Sequence, residues 1–124
     1  MNIEKSGRRV LVVEDESLVA MLLETMLEDM GCVPVGPAAT IDEALKLVDS
    51  EMFDAALLDV NVAGQPVFPV ARALEARGIP LVFSTGYGEG GLPETWRGRP
   101  TVQKPFTEAV IRDALMSALG VKRV

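Results

Sequence analysis

Histidine is absent from the 124 residues, and that absence removes more chemistry than any other feature of the composition. Without imidazole there is no Ser-His-Asp or Cys-His catalysis, no His-ligated zinc and no histidine phosphocarrier. A single cysteine, Cys32, excludes an intramolecular disulfide and places the chain most naturally in the cytoplasm. No apolar run reaches the roughly 18 to 20 residues that span a bilayer, and Met1-Asn2-Ile3-Glu4-Lys5 lacks the apolar centre of a secretory signal. Positive charge is the minority: 12 Lys and Arg against 18 Asp and Glu leave a net charge of −6, which argues against nucleic acid or a membrane as partner. What remains for chemistry is carboxylates, lysine, hydroxyls and a hard metal ion. Apolar residues make up 48% of the chain, enough for one core in a sequence of single-domain length.

Strand-length apolar runs alternate with helical patterns, the signature of βαβ units around a parallel sheet. Val10–Val13 reads as a central strand, followed by a helix from Ser17 whose core positions are Val19, Leu22, Leu23, Met26 and Met30, stopped by Gly31. Leu18, Met21 and Leu27 fall off that face and form a candidate docking patch. Val33–Val35 predicts a short edge strand because of Pro34. Thr40 and Glu43 resemble a capping box that opens a helix carrying Ile41, Ala44, Leu45 and Val48. Phe53–Leu58, Pro80–Phe83 and Thr101–Gln103 supply three more strands. Val60–Gly64 reads as a loop, and helices are predicted over Val67–Arg77 and Glu108–Leu119. The crossover from Gly86 to Arg99 holds glycines at 86, 88, 90, 91 and 98 plus Pro93, so its helix is expected to be short or mobile. Cys32 reads as a buried small hydrophobe, and Arg97 with Arg99 as a solvated charge pair.

Polar groups collect where the strands end. Glu14 and Asp15 follow the first strand, Asp59 the third, Thr85 the fourth and Lys104 the fifth, and an open parallel sheet binds its ligands at that edge. Carboxylates gathered there repel one another unless a divalent cation lies among them; with oxygen donors alone, Mg²⁺ or Mn²⁺ is expected. A metal, an ammonium and a hydroxyl are also the groups that stabilise a phosphoryl group in transfer, and aspartate can accept one.

Val12-Val13-Glu14-Asp15-Glu16, Leu57-Leu58-Asp59-Val60-Asn61-Val62, Phe83-Ser84-Thr85-Gly86 and Lys104-Pro105-Phe106 resemble the four signatures of the receiver domain of bacterial two-component response regulators, in order and spacing. The resemblance runs from about Arg9 to Leu119. It implies an α/β fold, a flavodoxin-like (βα)5 doubly wound five-stranded parallel sheet, forming a single receiver domain over residues 1–124 with no output domain. It implies that Asp59 is the phosphoacceptor for a sensor histidine kinase or histidine phosphotransfer protein, Thr85 the switch hydroxyl and Lys104 the phosphoryl's ion-pair partner. Asp15, Asp59 and the backbone carbonyl of Asn61 would ligate Mg²⁺ directly and Glu14 through water, and the Lys104–Pro105 peptide would be cis. The output would be protein contact or phosphate shuttling by a monomer or weak dimer, with no enzymatic turnover beyond self-phosphorylation and self-dephosphorylation.

The chain departs from that pattern in places. The usual Met-Pro after the phosphoacceptor is replaced by Val62-Ala63, which should loosen the loop. The usual aromatic switch position is Thr101, and Tyr87 is a candidate to take its place. Gly86, where many receivers carry Ala, leaves the approach to Asp59 open. Phe83-Ser84-Thr85-Gly86-Tyr87-Gly88 is similar to the Phe-Ala-Thr-Gly motif of a subgroup of single-domain receivers found in alphaproteobacteria. Three other readings fit less well. A phosphatase of the haloacid dehalogenase type needs an Asp where Asn61 stands. A flavin module would meet repulsion from Glu14-Asp15-Glu16. A receiver-like scaffold that signals by binding alone would have an incomplete acid set.

Overall fold

The computed structural model describes residues 7–86 and 92–120. Five parallel strands form the sheet in the order β2-β1-β3-β6-β7: β1 Arg9–Val13, β2 Val33–Ala38, β3 Ala55–Asp59, β6 Leu81–Thr85 and β7 Thr101–Gln103. Among the described residues four α-helices cover it, α1 Ser17–Asp29, α2 Ile41–Ser50, α3 Phe68–Ala76 and α4 Glu108–Leu119. Strand order reverses between β1 and β3, which places the switch point of the sheet between Glu14-Asp15 and Asp59.

The strict alternation of strand side chains sorts the core into two layers. Leu11, Val13, Ala56, Leu58 and Phe83 point to the α2 and α3 side, and Val10, Val12, Ala55, Leu57, Val82 and Val102 to the α1 and α4 side. Because both faces are covered, β1 and β3 are continuous apolar runs. Met26, Met30 and Cys32 are buried as expected.

Helix ends follow their capping chemistry. Thr40 Oγ accepts from the Glu43 N–H at 3.1 Å, Thr107 Oγ from the Val110 N–H at 3.3 Å, and Gly120 closes α4 in the left-handed region at φ 72°. Helix α1 instead begins on Glu16, with no side-chain cap from Glu16 or Ser17.

Several expectations are corrected. The core stripe of α1 is Ala20, Leu23, Met26 and Leu27. Leu27 is therefore core rather than docking surface, and Leu22, 46% exposed, joins Leu18 at 81% and Met21 at 62% on the outside. The 3.6-residue period permits both phases in so apolar a segment, and packing against β1 chose between them. Strand β2 runs three residues further than expected, through Pro37, because it is an edge strand whose prolines face no partner on one side. The Val60–Gly64 loop is the first part of a hairpin: β4 Asn61–Val62 pairs antiparallel with β5 Gln65–Pro66. Beyond Gly86 the crossover shows a single 3₁₀ turn, Glu94–Trp96, among the described residues. Trp96 stacks on Phe68 with ring centroids 5.8 Å apart and meets Phe83 edge-on. Arg99 stays partly in water but is paired there: its guanidinium lies 4.7 Å from the Trp96 ring centre and contacts both Glu75 oxygens. Arg97 donates to the Leu92 carbonyl.

Candidate functional site

Ladder hydrogen bonds knit the carboxyl ends of the strands into one platform. Glu14 N–H donates to the Ala38 carbonyl at 3.0 Å, Val60 N–H to Ser84 at 3.0 Å and Lys104 N–H to Thr85 at 2.9 Å. Asp59, Ser84 and Thr85 are buried there, although each carries a polar group. Thr85 ends β6, and Lys104 follows β7 at a cis Lys104–Pro105 peptide. Asp59 thus shares its edge of the sheet with an ammonium and a hydroxyl, from the two strands that follow β3 in the sheet order.

One oxygen from each of Glu14, Asp15 and Asp59 lies within 4.8 Å of the others. Lys104 Nζ sits 3.0 Å from Glu14 Oε1 and 3.3 Å from Asp59 Oδ2, with Glu16 at 3.7 Å. Burial lifts the Glu14 carboxyl above its usual range and the Asp59 charge adds to the lift, opposed by the Glu16 N–H and by Lys104. Burial alone would lower the Lys104 ammonium, but its hydrogen bond to Glu14 and the charges of Asp59 and Glu14 outweigh that and hold it above the ordinary value. One lysine cannot balance three clustered carboxylates. The all-oxygen donor set and the uncompensated charge fit a hard divalent cation.

Beside Asp59 opens a cavity of about 430 Å³, lined by Asn61, Phe68, Thr85, Gly86 and Pro93 among others. Among the described residues, nothing beyond its chain neighbours lies within 4 Å of where a Gly86 β-carbon would be. Asn61 N–H donates to Asp59 Oδ1 at 3.4 Å. Thr101, on β7, hydrogen-bonds the Arg99 carbonyl at 3.0 Å. Tyr87 lies outside the described residues. Glu14, Asp15, Asp59, Thr85 and Lys104 are thus brought together as expected. Sequence reasoning missed Glu16 beside Lys104, the Ala63 N–H that donates to Asp15 Oδ2 at 3.0 Å, and Trp96. Only Glu16 left a trace in the sequence, as the third acid of its run.

The response regulator receiver domain model matches residues 10–116. The solution structure of SdrG from Sphingomonas melonis Fr1 is 44% identical, with a TM-score of 0.83 over 98% of this chain and 100% of that one. SdrG of Pseudomonas melonis Fr1 in its BeF3-activated conformation is 46% identical, with a TM-score of 0.78 over 90% of this chain and 95% of that one. The phyllosphere-induced regulator PhyR of Methylorubrum extorquens is 32% identical over 115 residues, 89% of this chain but 43% of its own length. Against the curated relatives it matches first, the chain spans about half their length. Among the described residues no helix is long and apolar enough to cross a membrane. A doubly wound sheet that gathers its acids, hydroxyl and lysine at one edge, in a chain matched over residues 10–116, places this protein among the receiver domains of two-component response regulators.

Proposed function

We propose that the chain is a phosphoacceptor switch in which Asp59 takes a phosphoryl group from a phosphohistidine of a sensor histidine kinase or phosphotransfer protein. The observation that carries this reading is the Asp59 carboxylate, held 3.3 Å from Lys104 Nζ on the wall of an open cavity that it shares with Thr85 and Gly86. An Asp59 oxygen attacks phosphorus, the P–O bond forms as the donor's P–N bond breaks, and the imidazole leaves with a proton. Lys104 pairs with the charge that develops on the phosphoryl oxygens, and the Thr85 hydroxyl donates to one of them. Asp15, Asp59 and the backbone carbonyl of Asn61 would hold Mg²⁺, or Mn²⁺ as the alternative, with Glu14 acting through water. When bound, that ion neutralises charge on the transferring group.

The chain turns over no separate substrate and acts in the cytoplasm. It signals through protein contact or by passing the phosphoryl group on, with Thr85, Gly86, Tyr87 and Thr101 as the positions that translate occupancy into shape. The BeF3-activated conformation of SdrG, 46% identical, supports this reading, as does the similarity of Phe83–Gly88 to the Phe-Ala-Thr-Gly motif. Intact-mass analysis after incubation with Mg²⁺ and acetyl phosphate tests it. One added phosphoryl group is expected on the native chain and none on Asp59→Asn. An unmodified native chain that also forms no beryllofluoride complex would sink the proposal in favour of a binding-only scaffold.

A further inference from the structure

The connection after β3 departs from the receiver pattern where Met-Pro gives way to Val62-Ala63, and this changes what its backbone can donate. Proline has no N–H. Ala63 has one, and it reaches Asp15 Oδ2 at 3.0 Å across 48 positions of sequence. Ala63 lies in the left-handed region at φ 51°, next to Gly64 at φ 79°, the pair of positive φ values that a two-residue hairpin turn of type I′ requires. A β-carbon is disfavoured there, so the surrounding pairing has to hold the turn in place. Asn61 pairs with Pro66 and Val62 with Gln65, the Val62 side chain is buried, and Val67 N–H donates to Val60 at 2.9 Å. A proline, fixed near φ of about −65°, could not adopt this backbone.

Asp15 is exposed to water and receives no ammonium of its own among the described ion pairs. A hydrogen bond on one carboxylate oxygen restricts the side chain's rotation and leaves the other oxygen for a cation. We propose that Ala63 is a positioning residue whose backbone N–H orients Asp15 for the divalent cation of the Glu14, Asp15 and Asp59 cluster before that cation arrives. The inference rests on reading the cluster as a cation site for phosphoryl transfer, but its test uses unphosphorylated protein, so a failure of transfer and a failure of this proposal are told apart.

An ester in place of the Val62–Ala63 amide deletes the donor and keeps both side chains. Mg²⁺ titrated calorimetrically into the full chain should then bind about fivefold more weakly. That is less than the roughly 10- to 100-fold usual for partners of metal ligands, because water competes at exposed Asp15. Ala63→Gly retains the donor and suits the positive φ, so it should bind Mg²⁺ within about twofold of the native chain. In the metal-free protein, Asp15→Ala should speed hydrogen exchange of the Ala63 amide about tenfold and leave that of Val67 unchanged. That second measurement stands even if the ester chain does not fold. An ester chain that binds Mg²⁺ like the native one, or an Ala63 amide that exchanges equally fast with and without the Asp15 carboxylate, would overturn the proposal.

Discussion

Glu14 and Asp15 are adjacent, carry the same charge and meet opposite surroundings. Glu14 continues the alternation of β1 inward, 1% exposed, with Lys104 3.0 Å away. Asp15 lies one residue beyond, in water, and its recorded partner is the neutral N–H of Ala63. The difference shows that the two acids are controlled by different means. For Glu14 the interaction with its surroundings is electrostatic and large, because burial strengthens attraction and penalises any imbalance. For Asp15 it is geometric and small, because water screens the charge and only orientation is left to set.

Removing Lys104 breaks the buried side of this comparison most severely. Lys104→Met leaves Glu14 and Asp59 without their shared ammonium, and labelling of Asp59 by acetyl phosphate should slow about a hundredfold, the scale for one lost donor at a developing anion. The pH dependence sharpens the comparison with a smaller effect. Burial raises the Glu14 carboxyl above its ordinary value of 4.5, so between that value and the higher folded one the folded state binds more protons than the unfolded state. The stabilisation is complete below the unfolded value and is lost as pH rises through the folded one. Thermal unfolding of metal-free protein against pH should therefore show a loss of stability across that window in the native chain relative to Glu14→Gln, with Glu14→Gln the more stable at neutral pH. Equal profiles would refute the burial account. The exposed side should respond least: Asp15→Asn is expected to change metal-free stability by less than about 0.5 kcal/mol, measured in the same unfolding series.

Which parts were legible in the sequence follows from the range of the forces involved. Thr101–Gln103, Glu108–Leu119 and the Thr40 cap follow from local period and capping, and the structure reproduces them. The convergence of Glu14, Asp15, Asp59, Thr85 and Lys104 followed from counting strand ends, since a parallel sheet aligns them. What escaped depends on contacts between distant segments. The face of α1 was misjudged because Leu22 and Leu27 are equally apolar and only packing against the sheet and α4 distinguishes them. Where Met-Pro gives way to Val62-Ala63, a backbone donor is gained that reaches Asp15, and residue types do not display backbone donors. The bracket around Arg99 was not legible because Glu75 lies 24 positions away in the chain and Trp96, three positions away, meets the guanidinium only through the course of the crossover.

Trp96 is the chain's single tryptophan. It is 8% exposed, lies beneath a guanidinium and stacks on Phe68, which lines the cavity next to Asp59. Indole emission responds to hydration, nearby charge and stacked rings, and here the charge comes from Arg99 and the ring neighbours from α3 and β6. The protein therefore carries an optical reporter at a defined position, and any spectral change under tryptophan excitation is assignable to one ring without a label.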